Sequence, residues 1–355
     1  MTPRVEVPVP ASMRANNPVP FAGTTDAQHA KLPDAVENRG VPGLERRVAQ
    51  RWRALVEGAA VRRHYHVRAL ADGAVFVQVR GGREVMDAVA LMGPCAAGDV
   101  VADGGIHRHV AWLALDQRCF SSRLVADGSL QDPTRCASRG GGQPAGHRVV
   151  VHINGGFFNY ARRSCQDLPE AASIGPSRSM QSGPLPCLPL PALFADDYQR
   201  LQFSDGSHVV SAPQLAVDGV DVFSSRMRSD PRYRLPDRFS FDAGDVVPPG
   251  SLWHAHDPNP RAGISMPAST STGIVRLVVA PMPRRDQPAS GCSLAAFAGI
   301  MARLDRMETP ANRSVNLDGG ESVVLQAWVN GVREVDVRQV AVPRRIGNFI
   351  GFSSR

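Results

Sequence analysis

The sequence predicts an α+β fold in which helices flank a mixed, twisted β-sheet and a functional site lies at the strand ends. Segments with strand periodicity outnumber those with helical periodicity, and polar, glycine-rich blocks follow several of them. One strongly amphipathic helix lies late in the chain. A chain of 355 residues, with 43% hydrophobic and 21% charged residues, is large and apolar enough to fold into an enzyme-sized body.

The N-terminal part divides into a leader and a helix. Residues 1–40 are rich in Pro, Ala and Asn without apolar periodicity, which is typical of an extended or disordered leader that catalysis does not need. Residues 41–58 are predicted to form a helix that ends at Gly58. A catalytic domain is expected over residues 60–355. The leader lacks the apolar segment of a secretory signal peptide, so the protein is expected to be either cytoplasmic or exported by a specialised secretion route, with a secretion-system or immunity partner in the second case.

Strands are predicted first as a hairpin and then at wider spacing. Residues 64–70 and 74–80 alternate with period two around Ala71-Asp72-Gly73, a composition suited to a tight turn. Further strands are expected at 109–116, 148–153, 214–219, 238–242, 274–280 and 323–329. Ser293 is placed to cap a helix that runs to Met307. Residues 165–191 carry little apolar rhythm and are interpreted as a long surface excursion or lid.

Composition narrows the classes of partner. The net charge is +7, but Lys and Arg are dispersed and aromatic residues make up only 6%, which argues against nucleic-acid binding. No apolar run reaches the roughly 18 residues that a spanning helix needs, so no membrane span is predicted. The six cysteines form no CxxC pair. Buried thiols and disulfides both stay open, the latter among Cys119, Cys136, Cys165 and Cys187.

The first chemical motif is INGGFFN, Ile153 to Asn159, where an apolar strand runs into a polar turn. Asn154 offers a donor and an acceptor to a sugar hydroxyl or a phosphate oxygen. Gly155 and Gly156 allow a turn and a close approach of the backbone to a ligand. The alternative is a strand-ending turn with a buried pair of aromatic residues.

The second motif is NLDGGES, residues 316–322, which repeats this strand-to-Gly-Gly design. Asp318 can serve as general acid, general base or nucleophile, and Glu321 can be its partner in the two-carboxylate scheme of glycoside hydrolysis. Asn154 and Asp318 are expected to face one cleft. An ordinary Asp-Gly-Gly turn is the alternative. The other residues expected to shape this cleft are Gly319, Gly320 and Ser322.

Two arginine-containing blocks complete the candidate site. In PNPRAGISM, Arg261 follows a proline, and its guanidinium suits a phosphate or a carboxylate. The final block, VPRRIGNFIGF, is predicted to form a last strand whose polar residues face the same cleft, namely Arg344, Arg345 and Asn348.

A histidine pair between these blocks leaves the metal requirement open. WHAHDP contains His254, His256 and Asp257, and alternate residues of a short strand share a face, so two imidazoles could bind a divalent metal. The alternative is a polar loop in which a histidine, His254 first, contacts substrate or acts as acid or base. No organic cofactor is predicted.

These blocks, taken in order, resemble the phosphodiester glycosidase family: INGGFF, PRxxI, a helix introduced by GCSL, NLDGG followed by Ser, and Pro-Arg-Arg-Ile-Gly-Asn. The segment SAPQLAVDG, residues 211–219, is also similar, and the resemblance runs from about residue 60 onward. It implies hydrolysis at an anomeric carbon. The animal member removes N-acetylglucosamine from a sugar phosphodiester, and bacterial relatives are associated with cell-envelope glycans. The positions carried over are Asn154, Gly155, Gly156, Arg261, Asp318, Gly319, Gly320 and Ser322.

Two departures from the family pattern shape the functional expectation. Ala262 stands where the family usually has threonine, and Glu321 stands where it usually has a third glycine. The added carboxylate favours a plain glycan such as peptidoglycan, hydrolysed by Asp318 with Glu321. A sugar phosphodiester is the alternative substrate, and a non-catalytic carbohydrate-binding or toxin-like module is the alternative class. Substrate is expected to contact Asn154, Arg261, His254, Arg344 and Asn348.

Overall fold

The computed structural model describes most of the chain beyond residue 63. The described residues are 64–89, 108–132, 149–159, 169–188, 190, 197–229, 255, 258–267, 273–282, 291–308, 312–340 and 344–355. Several predictions lie outside them, namely the leader over 1–40, the helix over 41–58, the strand over 238–242, and His254, His256 and Asp257.

The largest sheet has eight strands, and every neighbouring pair is antiparallel. Numbered along the chain, its strands in spatial order are β1 (Tyr65–Ala71), β2 (Ala74–Gly81), β3 (Arg108–Asp116), β15 (Ile274–Ala280), β14 (Arg261–Pro267), β16 (Asn312–Asn316), β12 (Gln214–Val217) and β13 (Val220–Asp221). The predicted hairpin is confirmed, and Gly73 takes the left-handed conformation that its turn requires.

A second sheet has five antiparallel strands. Its spatial order is β18 (Val332–Arg338), β17 (Val324–Val329), β5 (Val149–Asn154), β19 (Phe349–Ser354) and β4 (Phe120–Val125). The α+β class is therefore confirmed, but the single mixed sheet of the prediction is wrong. Neighbouring strands of the two large sheets are purely antiparallel, and the crossover through the long helix Leu294–Glu308 joins β15 to β16, which lie on either side of β14 instead of side by side.

Two small sheets combine strands from the predicted surface excursion, residues 165–191, with two strands from residues 199–211. One contains β10 (Gln199–Gln202), β11 (His208–Ser211), β7 (Arg178–Ser179) and β8 (Gly183–Pro184), and the other pairs β6 (Ser173–Ile174) with β9 (Cys187–Leu188) in parallel. Ala172, Ser173 and Ile174 are fully buried. The described part of residues 165–191 thus combines buried strand residues with exposed ones such as Met180, which is 54% exposed, and a role as a lid stays a prediction.

The three described helices are α1 (Arg83–Ala88), α2 (Phe223–Ser229) and α3 (Leu294–Glu308). The eight-stranded sheet lies between α3 and the five-stranded sheet. In β2, Val75, Val77 and Val79 join the apolar cluster that contains α3, whereas Ala74 and Phe76 join the cluster shared with the five-stranded sheet. Because successive residues of a strand point to opposite faces of a sheet, β2 contributes apolar side chains to the core on each side of the eight-stranded sheet. No helix of the described residues could cross a membrane.

Helix α3 confirms the predicted late helix. Ser293 caps it, because its hydroxyl accepts a hydrogen bond from the Ala296 amide at 3.2 Å. Asp305, near its other end, is fully buried and binds Arg276 of β15 at 2.6 Å. Its carboxylate also accepts the hydroxyls of Ser265 and Ser314. This polar cluster ties the helix to three strands, and burial raises the pKa of Asp305 against the opposing effect of Arg276.

Candidate functional site

The loop that joins β16 to β17, residues 317–323, carries Asp318 and is called the Asp318 loop below. Asn154, the last residue of β5, spans its base: Nδ2 donates to the Asp318 carbonyl oxygen at 2.6 Å, and Oδ1 accepts from the Val324 amide at 3.1 Å. The predicted proximity of Asn154 and Asp318 is confirmed. Asn154 is fully buried and uses both polar atoms to position the loop, and its contact with substrate stays a prediction.

Backbone hydrogen bonds bring two further motifs to the same loop. The Asp318 amide donates to the Gly155 carbonyl oxygen at 2.9 Å, which ties the loop to INGGFFN. The amides of Leu317 and Gly320 donate to Ala262 and Pro260 at 2.9 and 3.1 Å, which ties it to PNPRAGISM. Three motifs that are distant in sequence therefore converge on the residues around Asp318.

Glycines in these motifs meet two local requirements. Gly320 has a φ of 61°, a left-handed conformation that side chains rarely adopt, and it starts the 3-10 turn Gly320–Ser322. At Gly155, a Cβ atom would collide with Oδ1 of Asn348. The Nδ2 atom of Asn348 donates to the Gly156 carbonyl oxygen at 3.3 Å. Among the described residues, Oδ1 of the buried Asn348 has no hydrogen-bond partner.

The Asp318 carboxyl group has polar neighbours and remains partly exposed. Its side chain is 14% exposed, Oδ2 lies 3.2 Å from Nη2 of Arg344, and Oδ1 accepts the Gly319 amide at 3.1 Å. The Ser322 hydroxyl also hydrogen-bonds it. Burial raises the pKa of Asp318 above its ordinary value, and the opposing effects of Arg344 and Ser322 are smaller. The geometry thus presents a carboxyl group suited to donating a proton.

Arg344 is held on three sides. Its Nε and Nη2 atoms donate to the Ser322 hydroxyl oxygen at 2.9 and 2.6 Å, and its guanidinium lies 5.6 Å from the centre of the Phe158 ring. Arg344 and Asn348 both precede β19, which begins at Phe349. The prediction that they lie on the last strand is therefore wrong. They belong to the segment that leads into the strand. Its backbone lies outside the strands of the sheet, so it can follow the shape of the site.

Arg261 begins β14 and is buried, with Nε donating to the Cys292 carbonyl oxygen at 2.9 Å. Its neighbours Pro260 and Ala262 hold the Asp318 loop, so its backbone lies beside the site. A role in binding substrate stays a prediction for Arg261, Arg344 and Asn348.

Glu321 is the middle residue of the 3-10 turn and is partly buried. The sequence hypothesis attributed a raised carboxyl pKa to repulsion between Asp318 and Glu321. The pKa of Asp318 is indeed raised, but burial is the main cause. The raised pKa of Asp318 therefore does not test the two-carboxylate scheme, which stays a prediction.

Metal ligands and thiols add little within the described residues. They contain no group of three or more His, Cys, Asp or Glu side chains arranged to hold a metal ion. His254 and His256 lie outside them, so the histidine hypothesis stays a prediction. Cys119 and Cys187 carry free thiols, which excludes these two of the four cysteines from the proposed disulfides.

Phe158 is the site residue that the sequence reasoning missed. It belongs to INGGFFN, but it was considered only as part of a buried aromatic pair. Its ring is 5% exposed and supports the Arg344 guanidinium. The position of a phenylalanine within a motif does not show which cation will lie over its ring, so local sequence carried no signal for this contact.

Comparison with known proteins leaves the family open. No protein-family model matches the chain, and no curated protein matches its sequence. Two solved structures match at 14% identity: a hypothetical protein from Synechocystis, with a TM-score of 0.44, and a candidate exported protein from Burkholderia pseudomallei, with a TM-score of 0.45. The alignments cover 82% and 81% of this chain. They span 64% of the Synechocystis protein, less than two thirds of its length, and 95% of the Burkholderia protein.

Proposed function

We propose that the protein is a glycoside hydrolase of the phosphodiester glycosidase type that acts at an anomeric carbon. Its proposed substrate is a cell-envelope glycan such as peptidoglycan. The observation that carries the proposal is Asp318: a partly exposed carboxyl group, with a pKa raised by burial, on a loop held by three motifs. An acid of this kind can protonate a glycosidic oxygen as the bond to the sugar breaks.

The proposed reaction uses two carboxyl groups. Asp318 gives its proton to the leaving oxygen while the bond from that oxygen to the anomeric carbon breaks. Glu321, three residues further along the same loop, either accepts a proton from the attacking water or attacks the carbon itself before water releases the sugar. Arg344 and Ser322 orient the Asp318 carboxyl group, because both hydrogen-bond it.

The arrangement of the arginines favours a glycan without a phosphodiester over a sugar phosphodiester. Arg344 donates to Asp318 and Ser322, and Nε of Arg261 donates to a backbone carbonyl. An arginine that binds phosphate presents its planar fork to the ligand, whereas these side chains already bind protein groups. A sugar phosphodiester remains the second candidate, because two guanidinium groups lie on segments that contact the Asp318 loop.

The test is product analysis by mass spectrometry after incubation with purified peptidoglycan or with sugar phosphodiesters. We expect released sugars from peptidoglycan, and at least a hundredfold slower release by Asp318→Asn, the scale typical of general acid catalysis. The control is Asp127→Asn, since Asp127 is exposed and binds Ser129 beside it. Release from phosphodiesters alone would select the second candidate. Binding of glycan without product, unchanged in Asp318→Asn, would indicate a non-catalytic module.

A further inference from the structure

Phe158 connects the first motif to the acid of the second through one arginine. Its ring lies under the Arg344 guanidinium at 5.6 Å, and the same guanidinium reaches both Ser322 and Asp318. An arginine side chain has several rotatable bonds, so holding it in one position costs conformational entropy. An aromatic face attracts the cation and restricts it to the orientation in which both hydrogen bonds form.

The Phe158 ring is itself fixed by its surroundings. It is 5% exposed and belongs to an apolar cluster with Val125, Val324, Ile346 and Phe349. The chain passes directly against it at Gly347, where an added Cβ atom would lie 2.9 Å from Cβ and Cγ of Phe158. The ring therefore cannot shift without moving the segment that carries Arg344 into the site.

Ser322 fixes the orientation of the Arg344 guanidinium relative to Asp318. A serine hydroxyl has two acceptor positions and one hydrogen. Nε and Nη2 of Arg344 occupy the acceptor positions, so the hydrogen points to the carboxyl group of Asp318, which Ser322 hydrogen-bonds. Displacing the guanidinium would weaken its own bond to Asp318 and release the orientation of the serine.

From this chain of contacts we propose that Phe158 is a positioning residue for the reaction, acting on Asp318 through Arg344. The inference rests on the proposed function for its effect on rate, but the contacts are independent of any substrate. Other charged side chains on described segments that contact the loop include Arg261, Glu321, Arg338 and Arg345, and none of them is substituted in the test.

The test compares Phe158→Leu with the conservative Phe158→Tyr and with a control. Leucine keeps an apolar but smaller side chain and removes the aromatic face, and we expect kcat on the glycan to fall roughly tenfold with KM little changed. Tyrosine should restore the rate. The control is Phe349→Leu, because Phe349 lies in the same cluster but its ring contacts His152. If Phe158→Leu does not fold, Phe158→Met replaces it.

Two readouts separate this role from mere support of the fold. Arg344→Lys keeps the charge but loses the planar fork, and if Phe158 acts through Arg344, the rate losses of Phe158→Leu and Arg344→Lys should not add in the double variant. The pKa of Asp318, followed by carbon NMR of its carboxyl group, should rise in Phe158→Leu as the guanidinium loosens. Additive losses, or an unchanged Asp318 titration, would overturn the proposal. Absence of any glycan hydrolysis by the wild type would refute the proposed function instead, since the titration needs no substrate.

Discussion

Two aspartate–arginine pairs in this protein have similar chemistry and different access to solvent. Asp305 and Arg276 are 2.6 Å apart under α3, and both side chains are 0% exposed. Asp318 and Arg344 are 3.2 Å apart at the end of the five-stranded sheet, with side chains 14% and 23% exposed. Burial raises the pKa of both aspartates. A perturbed carboxyl group is therefore not enough to indicate chemistry, because only the second pair can exchange a proton with a ligand.

The largest expected effect tests whether the buried Asp305–Arg276 pair stabilises the fold. Asp305→Asn should lower the free energy of unfolding by about 3–5 kcal/mol, because it leaves the charge of Arg276 buried without a counter-charge. Asp318→Asn should cost less than about 1 kcal/mol, since its pair is partly solvated and weaker. Urea unfolding followed by circular dichroism measures both. Equal losses for the two variants would break the comparison.

Another buried group, His152, should cause most of the loss of stability in acid. His152 is 2% exposed, and burial, with a smaller contribution from Arg123, lowers its pKa to about 4. Between pH values of about 4 and 6.5, the imidazole of His152 is mostly protonated in the unfolded chain and mostly neutral in the folded protein. The free energy of unfolding should therefore fall by about 3 kcal/mol as pH drops from neutral to 4.

The two aspartates cannot produce this loss, because their raised pKa values mean that the folded protein binds their protons more tightly than the unfolded chain. His152→Leu, which cannot titrate, should flatten the dependence between pH 4.5 and 7. Urea unfolding at the two pH values provides the measurement. A variant that loses as much stability as the wild type would assign the acid response to another group.

The smallest expected effect tests the chemistry beside the partly exposed Asp318–Arg344 pair. Glu321→Gln should lower kcat roughly a hundredfold with unfolding unchanged, if Glu321 supplies the second carboxylate. Initial rates of glycan hydrolysis measure it. A wild-type rate in Glu321→Gln, together with an inactive Asp318→Asn, would remove Glu321 from the mechanism and make His254 and His256 the next residues to substitute.

Local pattern predicted those elements whose periodicity is intact. The strand expected at 274–280 is found as Ile274–Ala280, and the late helix is found within one residue of its predicted bounds. β14 and β16 were not among the expected strands, because Gly263, Ser265 and Ser314 take the buried positions that face α3, so few apolar residues mark these segments as core strands. Asp305 likewise gave no local sign of burial, since its partners lie on three different strands.

For the candidate site, the sequence predicted which motifs meet but not what each side chain does. Glycine pairs after strands correctly brought Asn154 beside Asp318. The sequence predicted a substrate contact for Asn154, which stays a prediction, but it did not predict that Asn154 spans the base of the loop, because this arrangement depends on Val324 beginning the next strand. The support of Arg344 by Phe158 was missed for the same reason, because the contact depends on how separate segments pack.

The central place of β19 has a consequence for biosynthesis. This strand is the last of the described strands along the chain, but it lies inside the five-stranded sheet, between β4 and β5. Asn154 and Asp318 are also 164 residues apart in sequence. Because synthesis proceeds from the N-terminus, β4 and β5 emerge before the strand that pairs with both of them, and Arg344 emerges after Asp318 and Ser322. Assembly of the site is therefore coupled to the insertion of β19 between two strands that are already synthesised, rather than to the folding of any one motif.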